Sequence, residues 1–179
     1  MDKHYLTPLF APASIAVLAG RADNPESLTS YAQALHPALR AQRFAGSLQF
    51  VDTHTSGTLA DLAQRKSDLA IIALPPAEVP AALEVAGRIG CRAALVLSSG
   101  MDADQAANLK KIARREGLYL LGPNSLGFQR PHLQLNASAA GPLASDGPLA
   151  LVCQSGALTS SILDWASNNG VGFSSVISL

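Results

Sequence analysis

A chain of 179 residues with 48% hydrophobic content can bury one ordinary core and begin a second. Thirteen basic and thirteen acidic residues cancel without forming long runs. That argues against a sequence-independent nucleic-acid surface, which needs clustered Lys and Arg, but leaves room for a small anionic ligand. Cys91 and Cys153 form no CxxC pair, so both are expected to be reduced and buried. No apolar run approaches a membrane span, and the first residues lack a signal peptide's layout. A soluble, cytoplasmic protein with no membrane partner is expected.

Residues 5–10 read as one helical turn closed by Pro12, and residues 14–19 as a near-continuous apolar strand. Such runs suit a parallel sheet covered on both faces. After Gly20, residues 27–41 place Leu28, Tyr31, Leu35 and Leu39 at helical spacing, with a kink or break expected at Pro37. Residues 47–52 form a second strand ending in Asp52-Thr53-His54, and a short helix is expected over 59–63. Residues 68–74 are the clearest strand, stopped by Pro75-Pro76. A helix over 77–89, a strand over 92–97, a helix over 103–116 and a strand over 118–121 complete the alternation.

This is the pattern of a doubly wound parallel sheet, a Rossmann-like α/β fold. Right-handed crossovers bring every strand's carboxyl end to one edge, where such sheets bind ligands. Gly20, Asp52 to His54, Pro75-Pro76, Ser98-Ser99-Gly100 and Gly122-Pro123-Asn124-Ser125 fall on that edge. Residues 128–146 show no clear period and read as a crossing between domains. A strand over 148–153, a helix over 155–169 and a strand over 173–179 follow. They read as the first βαβ of an incomplete domain, whose last strand is expected to be an exposed edge or to pair with a second copy.

Gln154-Ser155-Gly156-Ala157 is a strand-to-helix turn with a capping serine. Its outward N–H groups suit an anion; simple capping is the plainer reading. It lacks the glycines of a nucleophile elbow. The first βα loop, Gly20-Arg21-Ala22-Asp23-Asn24, keeps only one glycine of G-x-G-x-x-G. Asp52 stands where an NAD domain places its ribose acceptor. The histidines lie singly, without metal-ligand spacing, and most are expected to be solvated. His54 is the one at the cleft edge, and Trp165 is expected in the core.

The ordered set Leu121-Gly122-Pro123-Asn124-Ser125-Leu126-Gly127, residues 149–152, Gln154-Ser155-Gly156-Ala157-Leu158 and Gly172-Phe173-Ser174 resembles the N-terminal part of NDP-forming acyl-CoA synthetases. The α-subunit of succinyl-CoA synthetase is the simplest member. Ser161-Ile162-Leu163-Asp164-Trp165-Ala166 resembles most closely the synthetase-like region of large protein lysine acetyltransferases, where it is fused to an acetyltransferase domain of the GNAT type. The resemblance implies a CoA-binding Rossmann-like domain over residues 1–135. Residues 136–179 would then hold a linker and the start of a flavodoxin-like ligase domain.

Carried over, it implies CoA or acyl-CoA along Gly20, Arg21, Ala22, Asp23, Asn24, Pro75, Pro76, Leu97, Ser98, Ser99, Gly100, Asn124 and Ser125. It implies a phosphate at Gln154, Ser155, Gly156 and Ala157, no metal, and no catalytic residue in this chain. The first loop and the turn after the second strand depart from the family's Gly/Ser-rich loop and its Pro and Lys. Weak, salt-sensitive CoA binding is therefore expected, with Arg21 the one cation of the first loop and Asp23 opposing it. The expected role is regulatory. The alternatives are part of an active ADP-forming acyl-CoA ligase, an NAD-binding redox sensor, or a Rossmann scaffold for interactions.

Overall fold

The computed structural model describes residues 4–20, 28–51 and 66–179. The expected strand end at Asp52 and the helix over 59–63 lie outside those residues, as does His54.

Five parallel strands form the first sheet: β1 (Ser14–Leu18), β2 (Ser47–Phe50), β3 (Leu69–Ile72), β4 (Ala93–Val96) and β5 (Tyr119–Leu121). Their spatial order is β2-β1-β3-β4-β5, so the order of connection reverses between β1 and β3. That reversal opens a crevice above the two carboxyl ends. β3 and β4 are buried at every residue, as their unbroken apolar runs demand.

Alternate residues of the strands feed two cores. Ala16, Leu18, Ala70, Ile72, Ala94 and Val96 face α3 (Val79–Arg88) and α4 (Ala103–Arg115). Ile15, Val17, Leu69, Ile71, Ala93 and Leu95 face α2 (Ser30–Arg40) and the short opening helix α1 (Thr7–Phe10). α4 begins with a reciprocal cap: Asp102 accepts from the Gln105 backbone N–H, and the Gln105 side chain accepts from that of Asp102. α2 runs through Pro37 without the expected break. Pro37 is exposed while Ala32, Leu35, His36 and Leu39 are buried, so packing along the inner face holds the helix across the missing N–H.

Residues 128–146, expected to be an irregular crossing, instead carry most of two strands. β6 (Gly127–Arg130) and β7 (Leu135–Ser138) form an antiparallel pair. β6 also pairs antiparallel with β9 (Phe173–Ser178), which lies parallel to β8 (Asp146–Cys153). The second sheet, β7-β6-β9-β8, is therefore mixed. Phe128, Leu135 and Ala137 enter the α2-side core of the first sheet, and Phe128 meets Phe10 edge-to-face at 5.4 Å. The two sheets thus share one apolar layer. Composition concealed this, because Gln129, Asn136 and Ser138 are buried polar residues paired with one another and with the next loop.

β9 is interior to its sheet rather than an edge, which corrects the expectation for residues 173–179. The edges are β7 and β8, and Leu149 and Val152 of β8 are exposed. α5 (Gly156–Asn168) covers one face through Leu163 and Ala166, which meet Phe173 and Val176. Trp165 is 58% exposed, not core, because it falls on the side of α5 away from Leu163. Of the two thiols only Cys91 is buried, and burial pushes its pKa up to about 12; Cys153 is half-buried.

Most of the histidines are expected to be solvated, but His36 is buried and stacks on Phe50 at 5.1 Å. Neither ring nitrogen makes a well-formed hydrogen bond. Burial holds its pKa below the usual histidine value and the nearby Arg40 charge adds to this, while the Ala19 and Gly20 carbonyls act the other way. The unfolded chain then takes up the proton first. Stability should be full above about 6.5 and fall as pH drops through 6.5 toward the lower folded-state value. Urea unfolding between pH 7.5 and 5 should show that decline, and His36→Leu should flatten it. An unchanged slope in the variant would assign it to other groups.

Candidate functional site

The crevice is built from the turns that leave β1, β3, β4 and β5. At the reversal point, Ala73 N–H donates to the Leu18 carbonyl, and the Thr29 hydroxyl donates to the Ala73 carbonyl at 2.8 Å. Thr29 Oγ1 also accepts from the Ala32 N–H, so this helix cap ties the start of α2 to the end of β3. Sequence reasoning passed over Thr29, although a threonine just before an apolar-periodic run is a start signal.

Gly20 adopts φ +71°, and a Cβ there would press on Leu28. Arg21, Ala22, Asp23 and Asn24 lie outside the described residues. Pro75 is exposed, Pro76 half-buried, and Gly100, at φ +82°, lies beside Pro76.

The remaining expected residues separate into two kinds. Ser99 is half-buried and Asn124 exposed, so both present polar groups at the edge. Asn124 takes the left-handed conformation (φ 62°), and its N–H donates to the Ser98 carbonyl, which holds the last turn against the β4 exit. Leu97, Ser98 and Ser125 are instead interior. Leu97 is core, and the Ser98 hydroxyl donates to the Leu74 carbonyl at 2.6 Å. Ser125, fully buried, donates to the Ser178 carbonyl at 2.6 Å and accepts from the Gly127 N–H. Those three shape the edge from behind.

The turn Gln154-Ser155-Gly156-Ala157 begins α5. Ser155 caps it by accepting from the Leu158 N–H at 3.3 Å, and Thr159 N–H donates to the Ser155 carbonyl. Gln154, Ser155 and Ala157 are exposed. The half-buried Cys153 sulfur accepts from the Ser155 N–H at 3.4 Å. A Cβ on Gly156 would lie 3.0 Å from Leu126, the residue after Ser125. The Leu126 N–H in turn donates to the Ser178 hydroxyl. The helix start and the strand-end edge, read separately in the sequence, therefore meet across Leu126.

Residues 47–131 match the family described as CoA binding domain, and residues 146–179 match the Succinyl-CoA ligase like flavodoxin domain. Acetate–CoA ligase [ADP-forming] I of Archaeoglobus fulgidus is 39% identical over 118 residues, which is 63% of this chain and 17% of that protein. The chain is homologous to the N-terminal α region of ADP-forming acetyl-CoA synthetases. In the α subunit of acetate–CoA ligase [ADP-forming] I of Pyrococcus furiosus, identity is 34% over 119 residues, 26% of that subunit. The acetyl-coenzyme A synthetase 1 of Ca. Korarchaeum cryptofilum, solved with phosphate and ADP, superposes with a TM-score of 0.86 at 25% identity. That match covers 97% of this chain and 39% of the other. The chain thus spans well under half the length of these relatives.

β2 to β5 lie within the residues matched to the CoA binding domain, and β8, α5 and β9 within those matched to the Succinyl-CoA ligase like flavodoxin domain. Small or neutral residues (Gly20, Ser99, Gly100, Asn124) leave the edge open to close approach and suit amide groups. Among the described residues of that edge there is no Lys or Arg. No group of three or more His, Cys, Asp or Glu suited to a metal occurs among the described residues, and no described helix is long and apolar enough to cross a membrane.

Proposed function

We propose that this chain binds CoA or an acyl-CoA thioester across the carboxyl ends of β1, β3, β4 and β5, with the thioester end directed toward the start of α5. The observation that carries this reading is the contact of Leu126 with Gly156, which joins a CoA-binding domain's strand edge to an exposed helix N-terminus. CoA supplies a thiol that carries the acyl group. Ser99 and Asn124 offer neutral hydrogen bonds to its pantetheine amides, and the first N–H groups of α5 favour an anion near that thiol. The chain itself orients the thioester and supplies no catalytic residue.

Its role is regulatory, within a synthetase-like protein lysine acetyltransferase; the run Ser161-Ile162-Leu163-Asp164-Trp165-Ala166 supports that kinship. A second reading, part of an active ADP-forming acyl-CoA ligase, is favoured by the 39% identity to an acetate–CoA ligase. In this reading the CoA-binding part spans residues 1–135 and the ligase-like part follows it.

Calorimetric titration with CoA, acetyl-CoA and NAD tests the proposal. CoA and acetyl-CoA should bind weakly, more weakly at high salt, and several-fold more tightly to Asp23→Gly, since removing one like charge near a phosphate is worth on the order of 1 kcal/mol at a solvated surface. Binding of NAD in preference to CoA would overturn it.

A further inference from the structure

Apart from the strand-end edge, the structure holds a cavity of about 270 Å³ between the loop at residues 140–145 and α5. Its floor is apolar, made by Leu163, Ala166, Val171 and Phe173. Ser160, Ser167 and Asp164 line the wall supplied by α5, and Asp164 is the one charged residue lining it. Ser160 is half-buried, Asp164 and Ser167 reach solvent at the rim, and among the described residues no cation pairs with the Asp164 carboxylate.

The opposite wall is fixed by buried amides. The Gln129 side chain donates to the Pro142 carbonyl and accepts from the Ala144 N–H, each at 2.9 Å, while the Asn136 amide donates to the Gly141 carbonyl at 2.9 Å. Gln129 is fully buried and Asn136 1% exposed. An irregular loop left to itself would close over the apolar floor; here two amides anchored in β6 and β7 hold it in place. The cavity is thus formed before any ligand arrives, which spares the ordering cost of binding.

We infer that this cavity is a binding site for a short primary alkylammonium group. An apolar floor with a few polar groups converging at the rim is the usual form of a small-molecule site. The volume suits a four- or five-carbon stem lying on Leu163 and Phe173. A single carboxylate flanked by hydroxyls selects an ammonium, whose three N–H donors it can satisfy, over an anion or a neutral alcohol. This inference stands apart from CoA binding, since the cavity shares no residue with the strand-end edge.

The probe is n-butylammonium chloride, titrated into the ¹⁵N-labelled full chain and followed by amide chemical shifts, with 1-butanol as the neutral counterpart. Saturable shifts are expected at residues 143–145 and 160–167, with a midpoint of the order of 1 mM for so small a ligand. The alcohol should saturate at least about fivefold later, and Asp164→Asn should raise the amine midpoint by a similar factor. Equal midpoints for amine and alcohol, or shifts confined to other parts of the chain, would overturn the inference. Should Asp164→Asn not fold, the comparison of amine with alcohol on the native chain decides alone.

Discussion

Gly122→Ala is expected to abolish folding, costing more than about 4 kcal/mol. Gly122 sits at φ +90° where the chain leaves β5, and a Cβ there would overlap the Val96 carbonyl oxygen in the neighbouring strand β4. That oxygen belongs to the rigid centre of the sheet and cannot move aside as a side-chain tip could. Gly117 supplies the control. It also has a positive φ, +70°, but a Cβ there meets nothing within 4 Å. Gly117→Ala should therefore cost only the conformational strain, about 1–2 kcal/mol. Circular dichroism and urea unfolding of the two variants separate steric overlap from strain. Similar stability for both would show that β4 yields at Val96.

Gln129→Leu should lower stability by about 3 kcal/mol, roughly 6–12 °C in Tm for a chain of this size. The leucine fills much of the volume but leaves the Ala144 N–H and the Pro142 carbonyl without the partners they now have. Each orphaned buried group costs about 1–3 kcal/mol. The loss should be local in its first effect. Hydrogen exchange at Ala144 should accelerate well before exchange in β3 and β4, and equal acceleration everywhere would assign Gln129 to the global core instead.

The parallel layer was legible because its strands are continuous apolar runs and its helices repeat at three and four. Leu69 to Ile72 and Ala93 to Val96 could hardly be anything else. The converging turns followed from handedness alone, and with them Gly20, Pro75, Gly100 and Asn124. Misreadings arose where polarity and burial part company. Gln129, Asn136 and Ser138 look like loop residues, yet they pair among themselves inside the second sheet, where hydrogen bonds rather than apolarity satisfy them. His36 was hidden for the same reason. Ser98 and Ser125 fall on the strand-end edge by position, and each hydroxyl turns inward to a carbonyl, a direction that no sequence pattern shows. Trp165 shows the converse, a large apolar side chain left in the open on α5. No local pattern could reveal that Leu126 meets Gly156, since thirty positions separate them.

The placement of β9 between β6 and β8 sets an order of assembly. All strands of the first sheet lie within the first 121 residues and need nothing further along the chain to pair. β6 and β7 can close as a local unit, Gly127 opposite Ser138. β8 has no neighbour until β9 exists, and β9 must return across about fifty positions to set Ile177 against Phe128. Long closures of this kind are slow to form. A nascent chain emerging from the ribosome would therefore carry a paired first sheet while β8 still waits unpaired, and the hydroxyl of Ser125 would find its carbonyl only when Ser178 has been made.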